Sequence, residues 1–401
     1  MSFGSFETIP KNTRNVVLGV GPLAAGLGFY EVAMAVFLPL EGFSAFDVGL
    51  VFATGAISAV IFGLPFAILS DRHGRKQMML VGSVFAAVVI AVPGLTSDFV
   101  LIELSAIVGG LGEAMYLATW NAYLADTTTS DIRASTFSLS FMNFTVALGI
   151  GSCLPAVYPL VNVDLLTAHR ITFVLLGFFS LLTSISIQKW AVHTMPRSTH
   201  EGILPRKSLG VIMKYSLTNM LIGLGAGLII PLIPTWFLYR FQETDVFSGP
   251  LIAASNLIMG LTAVAAPTVA KRVGLVKGIV TAQAMSMIFM LSIPFSPSAY
   301  IAGPLYVVRA VLMNMSSPLS DTFLMNMVAE DERATASSFN VILWRLPNAA
   351  STSIGGSILG YGKSQHSIFL LNFPFYLCAI LYVISITMFY TIFRNAERAS
   401  S

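Results

Sequence analysis

Charge is scarce in this chain. Lys and Arg number 22 and Asp and Glu 19, or 10% of 401 residues, where soluble domains carry about 25%. Too few charges are present to clothe an ordinary water-soluble surface. Cysteine is nearly absent, and both copies, Cys153 and Cys378, fall inside apolar runs, which argues against a disulfide framework or a thiolate metal centre. His73, His169, His193, His200 and His366 are scattered, so no His/Asp metal cluster or nucleophile constellation suggests an enzyme. The net charge of +3 is too small to call for a nucleic-acid partner.

What the chain has is hydrophobic sequence: 55% of its residues, with a mean hydropathy of +0.79. The apolar residues come in runs long enough to cross ~30 Å of hydrocarbon at about 1.5 Å per residue. They do not alternate with polar residues, which excludes a transmembrane barrel. A multi-pass helical membrane protein is expected, in contact with lipid and placed in the cell membrane. Lys11 and Arg14 lead directly into a span too long for the apolar core of a cleavable signal. The glycine pairs Gly19/Gly21 and Gly223/Gly225 have no strand before them, so helix packing explains them better than nucleotide binding.

Charged turns punctuate the hydropathy into twelve predicted spans: 15–40, 47–70, 77–96, 99–124, 134–158, 169–190, 211–240, 246–270, 276–295, 300–328, 334–360 and 366–393. With the N-terminus in the cytoplasm, 17 of the 22 Lys and Arg lie on that side, three outside and two within spans. This asymmetry predicts that both termini are cytoplasmic. The polar stretch 191–210 divides the spans six and six, giving an N-terminal half over 1–190 and a C-terminal half over 211–401. The halves repeat at an offset of about 200 residues. Asp131-Ile132-Arg133-Ala134 matches Asp331-Glu332-Arg333-Ala334, and Arg72-His73-Gly74 matches Arg272-Val273-Gly274, with Asp71 replaced by Lys271. Asp47-Val48 opens the second span as Asp245-Val246 opens the eighth. An even number of spans per half makes the repeat parallel.

Between the second and third spans the chain reads Ser70-Asp71-Arg72-His73-Gly74-Arg75-Lys76. This Asp-Arg-x-Gly-Arg-Lys cluster, together with the parallel repeat, resembles the major facilitator superfamily of transporters, and the likeness covers almost the whole chain. Three positions depart from the motifs of its drug/proton antiporters. Ala67 stands where the loop motif begins with Gly, and the fourth-span neighbourhood Gly109-Gly110-Leu111-Gly112-Glu113 has no Arg. The fifth-span motif is reduced to Gly149, Gly151 and Pro155.

The resemblance implies an all-α fold of two six-helix bundles and a monomeric secondary transporter for a small molecule. Nothing in the sequence resembles an ATP-binding domain, so an ion gradient, most simply of protons, or the substrate's own gradient would drive it, with no cofactor. Efflux by proton antiport is the favoured reading; a proton symporter or uniporter for an organic anion, or a sensor on the same fold, are the alternatives. Asp71, with Arg72, Gly74, Arg75 and Lys76, would form a cytoplasmic latch, and Asp126 with Arg133 its neighbour.

Five ionisable residues are singled out inside spans: Glu31, Glu103, Glu113, Arg309 and Arg345. Each costs on the order of 2.5–3.5 kcal/mol at mid-bilayer, so each is expected to face water or a partner. Glu103 is close enough to its span's end to reach the headgroups. Glu31 shares a stripe with Ala24, Gly28 and Ala35, and Tyr116 and Trp120 follow on the face of Glu113. Ser338, Asn348 and Thr352 share the face of Arg345, a polar stripe that predicts a water-lined surface. In the family, spans 1, 4, 7 and 10 line the cavity and 2, 5, 8 and 11 flank it. Glu31, Glu113, Arg309, Arg345 and Asn348 would therefore handle substrate or protons, or else form structural Glu–Arg pairs.

Overall fold

The computed structural model describes residues 8–192, 207–329 and 332–395; side chains are described for these except at 71–73, 130, 134, 259–272 and 334. Among the described residues, fourteen α-helices assemble into twelve segments that match the predicted spans within a few residues. They are α1 Lys11–Leu18, α2 Gly21–Leu40, α3 Ala45–His73, α4 Arg75–Leu95, α5 Phe99–Asp126, α6 Ser130–Cys153 and α7 Leu165–Trp190. After the central connection come α8 Leu209–Gly227, α9 Ile233–Phe241, α10 Asp245–Val273, α11 Leu275–Ser292, α12 Ala299–Met327, α13 Arg333–Ser364 and α14 Ile368–Phe393.

The first and seventh spans are each broken, a feature the hydropathy does not reveal. Pro22 lacks the N–H that would close a bond to Leu18, and the chain turns at Gly19 and Val20 between α1 and α2. Pro231 likewise cannot donate to Gly227, so α8 gives way to a short turn before α9. Nine segments among the described residues are long and apolar enough to cross a membrane by composition alone. α10, α12 and α13 are not among them.

The chain forms two compact units, Met1–Gly42 with Thr54–Thr199, and Phe43–Ala53 with His200–Ser401. In the first, α2 packs on α6 and α7, and α4 packs on α5 and α7. In the second, α8 packs on α13 and α14, and α11 packs on α12 and α14. The same neighbour relations therefore recur at equivalent places of the repeat.

The close contacts recur as well. A Cβ at Gly28 of α2 would lie 2.0 Å from the Leu148 carbonyl oxygen of α6, and one at Gly355 of α13 would lie 1.9 Å from that of Leu228. Only hydrogen in place of a side chain allows backbones this near, and dispersion across such seams is a main source of helix association in lipid. Gly74 and Gly274 open α4 and α11 with φ of +89° and +87°. A side chain there would be strained, which explains why both copies of the loop keep glycine.

Candidate functional site

In the first unit, α2 is buried at almost every position from Leu23 to Pro39, yet Glu31 is exposed in the middle of it. Tyr30 and the run from Val32 to Pro39 are all buried, so the carboxylate sits at the one exposed position between Leu23 and Pro39. Glu113 of α5 is half-buried and lies within electrostatic reach of Glu31. The fold thus brings together two carboxylates that are 82 residues apart in sequence. Two like charges in partial shelter from water disfavour simultaneous ionisation, and such a pair binds one cation, a proton included, more readily than either group alone.

Beyond Glu113, the rings of Tyr116 and Trp120 stack with centroids 5.2 Å apart and planes 20° from parallel. Trp120 is fixed by its Nε1, which donates to Ser140 Oγ of α6 at 3.0 Å. Both rings rest on the core formed by Val17, Met79, Tyr123 and Leu139. The carboxylate pair therefore stands beside a rigid aromatic step. Glu103, half-buried, lies near Tyr30 within the unit.

The loop residues have partners other than those expected. Arg75, buried at the start of α4, forms an ion pair with Asp126 at the end of α5. Arg133 is not the partner of Asp126: its Nη2 donates to the carbonyls of Ala125 (3.2 Å) and Thr128 (3.4 Å). It caps the exposed carbonyl end of α5, where a cation is favoured by the helix dipole. Lys76 does the same for α7, its Nζ donating to the Gln188 carbonyl at 2.7 Å. The side chains of Asp71 and Arg72 lie outside the described residues.

In the second unit, Arg333 repeats the role of Arg133, donating from Nε to the Met325 carbonyl of α12 at 3.1 Å. Glu332 does more than its counterpart Ile132: its two oxygens accept from the backbone N–H of Lys207 (2.8 Å) and Ser208 (2.7 Å) and cap α8.

Arg309 departs from the expectation of a water-lined position. It is only 5% exposed, and its Nη2 donates to the Tyr382 hydroxyl of α14 at 2.9 Å. The rotation of α12 points this guanidinium into its own unit. Asn348 is also engaged in packing, with Nδ2 donating to the Gly223 carbonyl at 3.1 Å. The Asn348 carbonyl in turn accepts from Ser351 and Thr352, and Thr352 is buried. That part of the polar stripe knits α13 to α8 and does not face water. Arg345 remains half-buried and Ser338 exposed.

One ionisable residue escaped the sequence reading. Asp321 lies inside the predicted tenth span, on α12, and its side chain is exposed. An aspartate within an apolar segment was the available signal.

The sequence matches the family profile described as the Major Facilitator Superfamily over residues 16–352. The quinolone resistance protein NorA of Staphylococcus aureus (strain MRSA252) is 24% identical over 181 residues, 44% of each chain. The chain thus spans less than half the length of this curated relative. Among solved structures, the bacterial homolog of the human lysosomal transporter Spinster, inward-facing and occupied, superposes with a TM-score of 0.77 at 14% identity. That match covers 96% of this chain and 98% of the other. The nucleoside transporter NupG superposes with a TM-score of 0.77 at 11% identity, covering 96% and 99%. These structural likenesses speak for the fold alone; it is the family profile that points to a membrane transporter and not an enzyme. With a profile match over most of its length and the recurring helix pairs of its two units, the chain belongs to the major facilitator superfamily.

Proposed function

We propose that this transporter is a proton-coupled antiporter that exports organic cations by alternating access, with Glu31 and Glu113 as the exchange site. The observation that carries the reading is the exposed carboxylate of Glu31 on a buried helix, within electrostatic reach of Glu113. A pair of this kind can hold one proton or one cationic group, and competition for it couples the two fluxes. The stacked Tyr116 and Trp120 offer aromatic faces, which attract cations. NorA, by its name a resistance protein, is in keeping with export.

The anion-carrier alternative relied on two arginines, and the engagement of Arg309 with Tyr382 weakens it. The basic loops are placed in the cytoplasm together with both termini, and Asp71 and Arg72 are assigned to the latch that the family's loop forms.

Proteoliposomes under an imposed pH gradient test the exchange. Wild-type protein should accumulate tetraphenylphosphonium against its gradient, and Glu31→Gln or Glu113→Gln should abolish pH-driven accumulation while leaving binding measurable. Full coupling in both variants would overturn the assignment.

A further inference from the structure

The second unit differs from the first where the first carries its aromatic step. With the offset of 200 that pairs Gly74 with Gly274 and Arg133 with Arg333, Tyr116 and Trp120 correspond to Ser316 and Ser320. The two stacked rings of α5 are thus replaced on α12 by two small hydroxyl side chains. Beside them lies a recess of about 20 Å³, lined by Tyr215, Thr218, Asn219, Gln283, Ser320 and Ser385. These residues come from four helices, α8, α11, α12 and α14. The lining among the described residues offers donors and acceptors and no charged side chain.

Gln283 of α11 points to what the recess holds. It is only 9% exposed, and its side chain makes one long hydrogen bond among the described residues, from Nε2 to Ser316 Oγ at 3.5 Å. Its Oε1 accepts none among those residues, although a buried amide oxygen ordinarily has a partner. The counterpart in the first unit, Ser83, is satisfied within the protein. It donates to the Leu80 carbonyl and is bonded to Ser184 Oγ, both at 2.8 Å.

The neighbours of Gln283 are held in place and keep bonding capacity. Asn219 gives Nδ2 to Asn340 Oδ1 at 2.9 Å, which leaves its own carbonyl oxygen as an acceptor. Tyr215, buried and hydrogen-bonded to Ser320, has a hydroxyl that can both donate and accept. Ser385 donates to the Thr218 carbonyl at 2.7 Å and fixes α14 to α8. A water needs roughly 10–15 Å³ on this measure and two to four polar partners. The recess meets both conditions.

We propose that this recess is the binding site of one structural water, which donates to Gln283 Oε1 and bridges it to Tyr215 and Asn219. The water completes the polar contacts of α11 with α8 at the position that aromatic rings occupy in the repeat. Because one molecule serves several side chains, those side chains act as a single unit in the stability of the fold.

Thermal melting of the purified full-length protein tests the site by the sign of the change. In a dry recess, Gln283→Met removes a buried amide that lacks a partner, and stability is unchanged or raised. In a hydrated recess the same change takes a partner from the water, and the melting temperature should fall by about 2–4 °C. Combined with Tyr215→Phe, the loss should be clearly less than the sum of the two, since both variants break one bridge. A Gln283→Met protein at least as stable as the wild type, or additive losses, would overturn the water. If either variant folds poorly, a high-resolution density map of the wild type decides. Solvent density within hydrogen-bond reach of Gln283 Oε1 supports the site, and its absence there overturns it. Exchange of sodium for choline should leave the melting temperature unchanged. A sodium-specific rise that Gln283→Met abolishes would replace the water with a bound cation.

Discussion

Arg75 and Asp126 form an ion pair that ties the first turn of α4 to the last turn of α5. The arginine is buried, whereas the aspartate keeps about a third of its side chain exposed. Arg75, which the family resemblance assigns to the cytoplasmic latch, thus joins two helices of one unit.

Removing one partner of this pair should destabilise the protein without inverting its transport cycle. Arg75→Gln is expected to cost about 1–3 kcal/mol, below the ~3–5 of a fully buried pair because water screens Asp126. Thermal melting of Arg75→Gln, Asp126→Asn and the double variant should show strong non-additivity. Additive losses would mean that the two residues act separately.

Arg133 and Arg333 cap equivalent helices, each reaching a carbonyl eight residues back. Arg133→Gln and Arg333→Gln should therefore lower the melting temperature by similar small amounts, each about 0.3–1 kcal/mol. Because they share no partner, the double variant should show their sum. A large loss from only one of them would break the equivalence of the repeat.

The glycine seams are the points of least tolerance. Gly28→Ala and Gly355→Ala place a methyl about 2 Å from a backbone carbonyl, which a flexible side chain could evade but a helix backbone cannot. Each should cost about 1–3 kcal/mol or more and reduce the yield of monodisperse protein. Gly63→Ala on α3 has nothing within 4 Å of the new methyl and should be neutral or stabilising by up to ~1 kcal/mol. Equal behaviour of all three in size-exclusion and melting assays would refute the close seam.

The Arg309–Tyr382 contact predicts a structural penalty from a minimal change. Tyr382→Phe removes the hydroxyl that accepts from the guanidinium and should lower stability by about 1–3 kcal/mol. Tetraphenylphosphonium affinity should stay near the wild-type value. A variant of normal stability and weakened binding would return Arg309 to the substrate site.

Much of this protein was legible before any coordinates. Hydropathy sums over some twenty residues, so the twelve spans emerged from local composition, and the recurring Asp-x-Arg-Ala and Arg-x-Gly loops exposed the repeat. Glycine at 74 and 274 was likewise readable, since a turn with positive φ leaves few other choices. Glu31 and Glu113 stood out because a carboxylate in an apolar run is costly wherever it points.

Partner choice was decided only by tertiary structure. A helix places its residues at 100° intervals, so a modest rotation or tilt against its neighbours turns a side chain from water to core. Arg309 and Asn348 went inward to Tyr382 and Gly223, while Glu31 stayed open on a helix whose other faces closed. Asp126 paired with Arg75, 51 residues away, although Arg133 lay only seven residues off. Sequence spacing measures distance along the chain, whereas an ion pair depends on which helix ends the packing brings together.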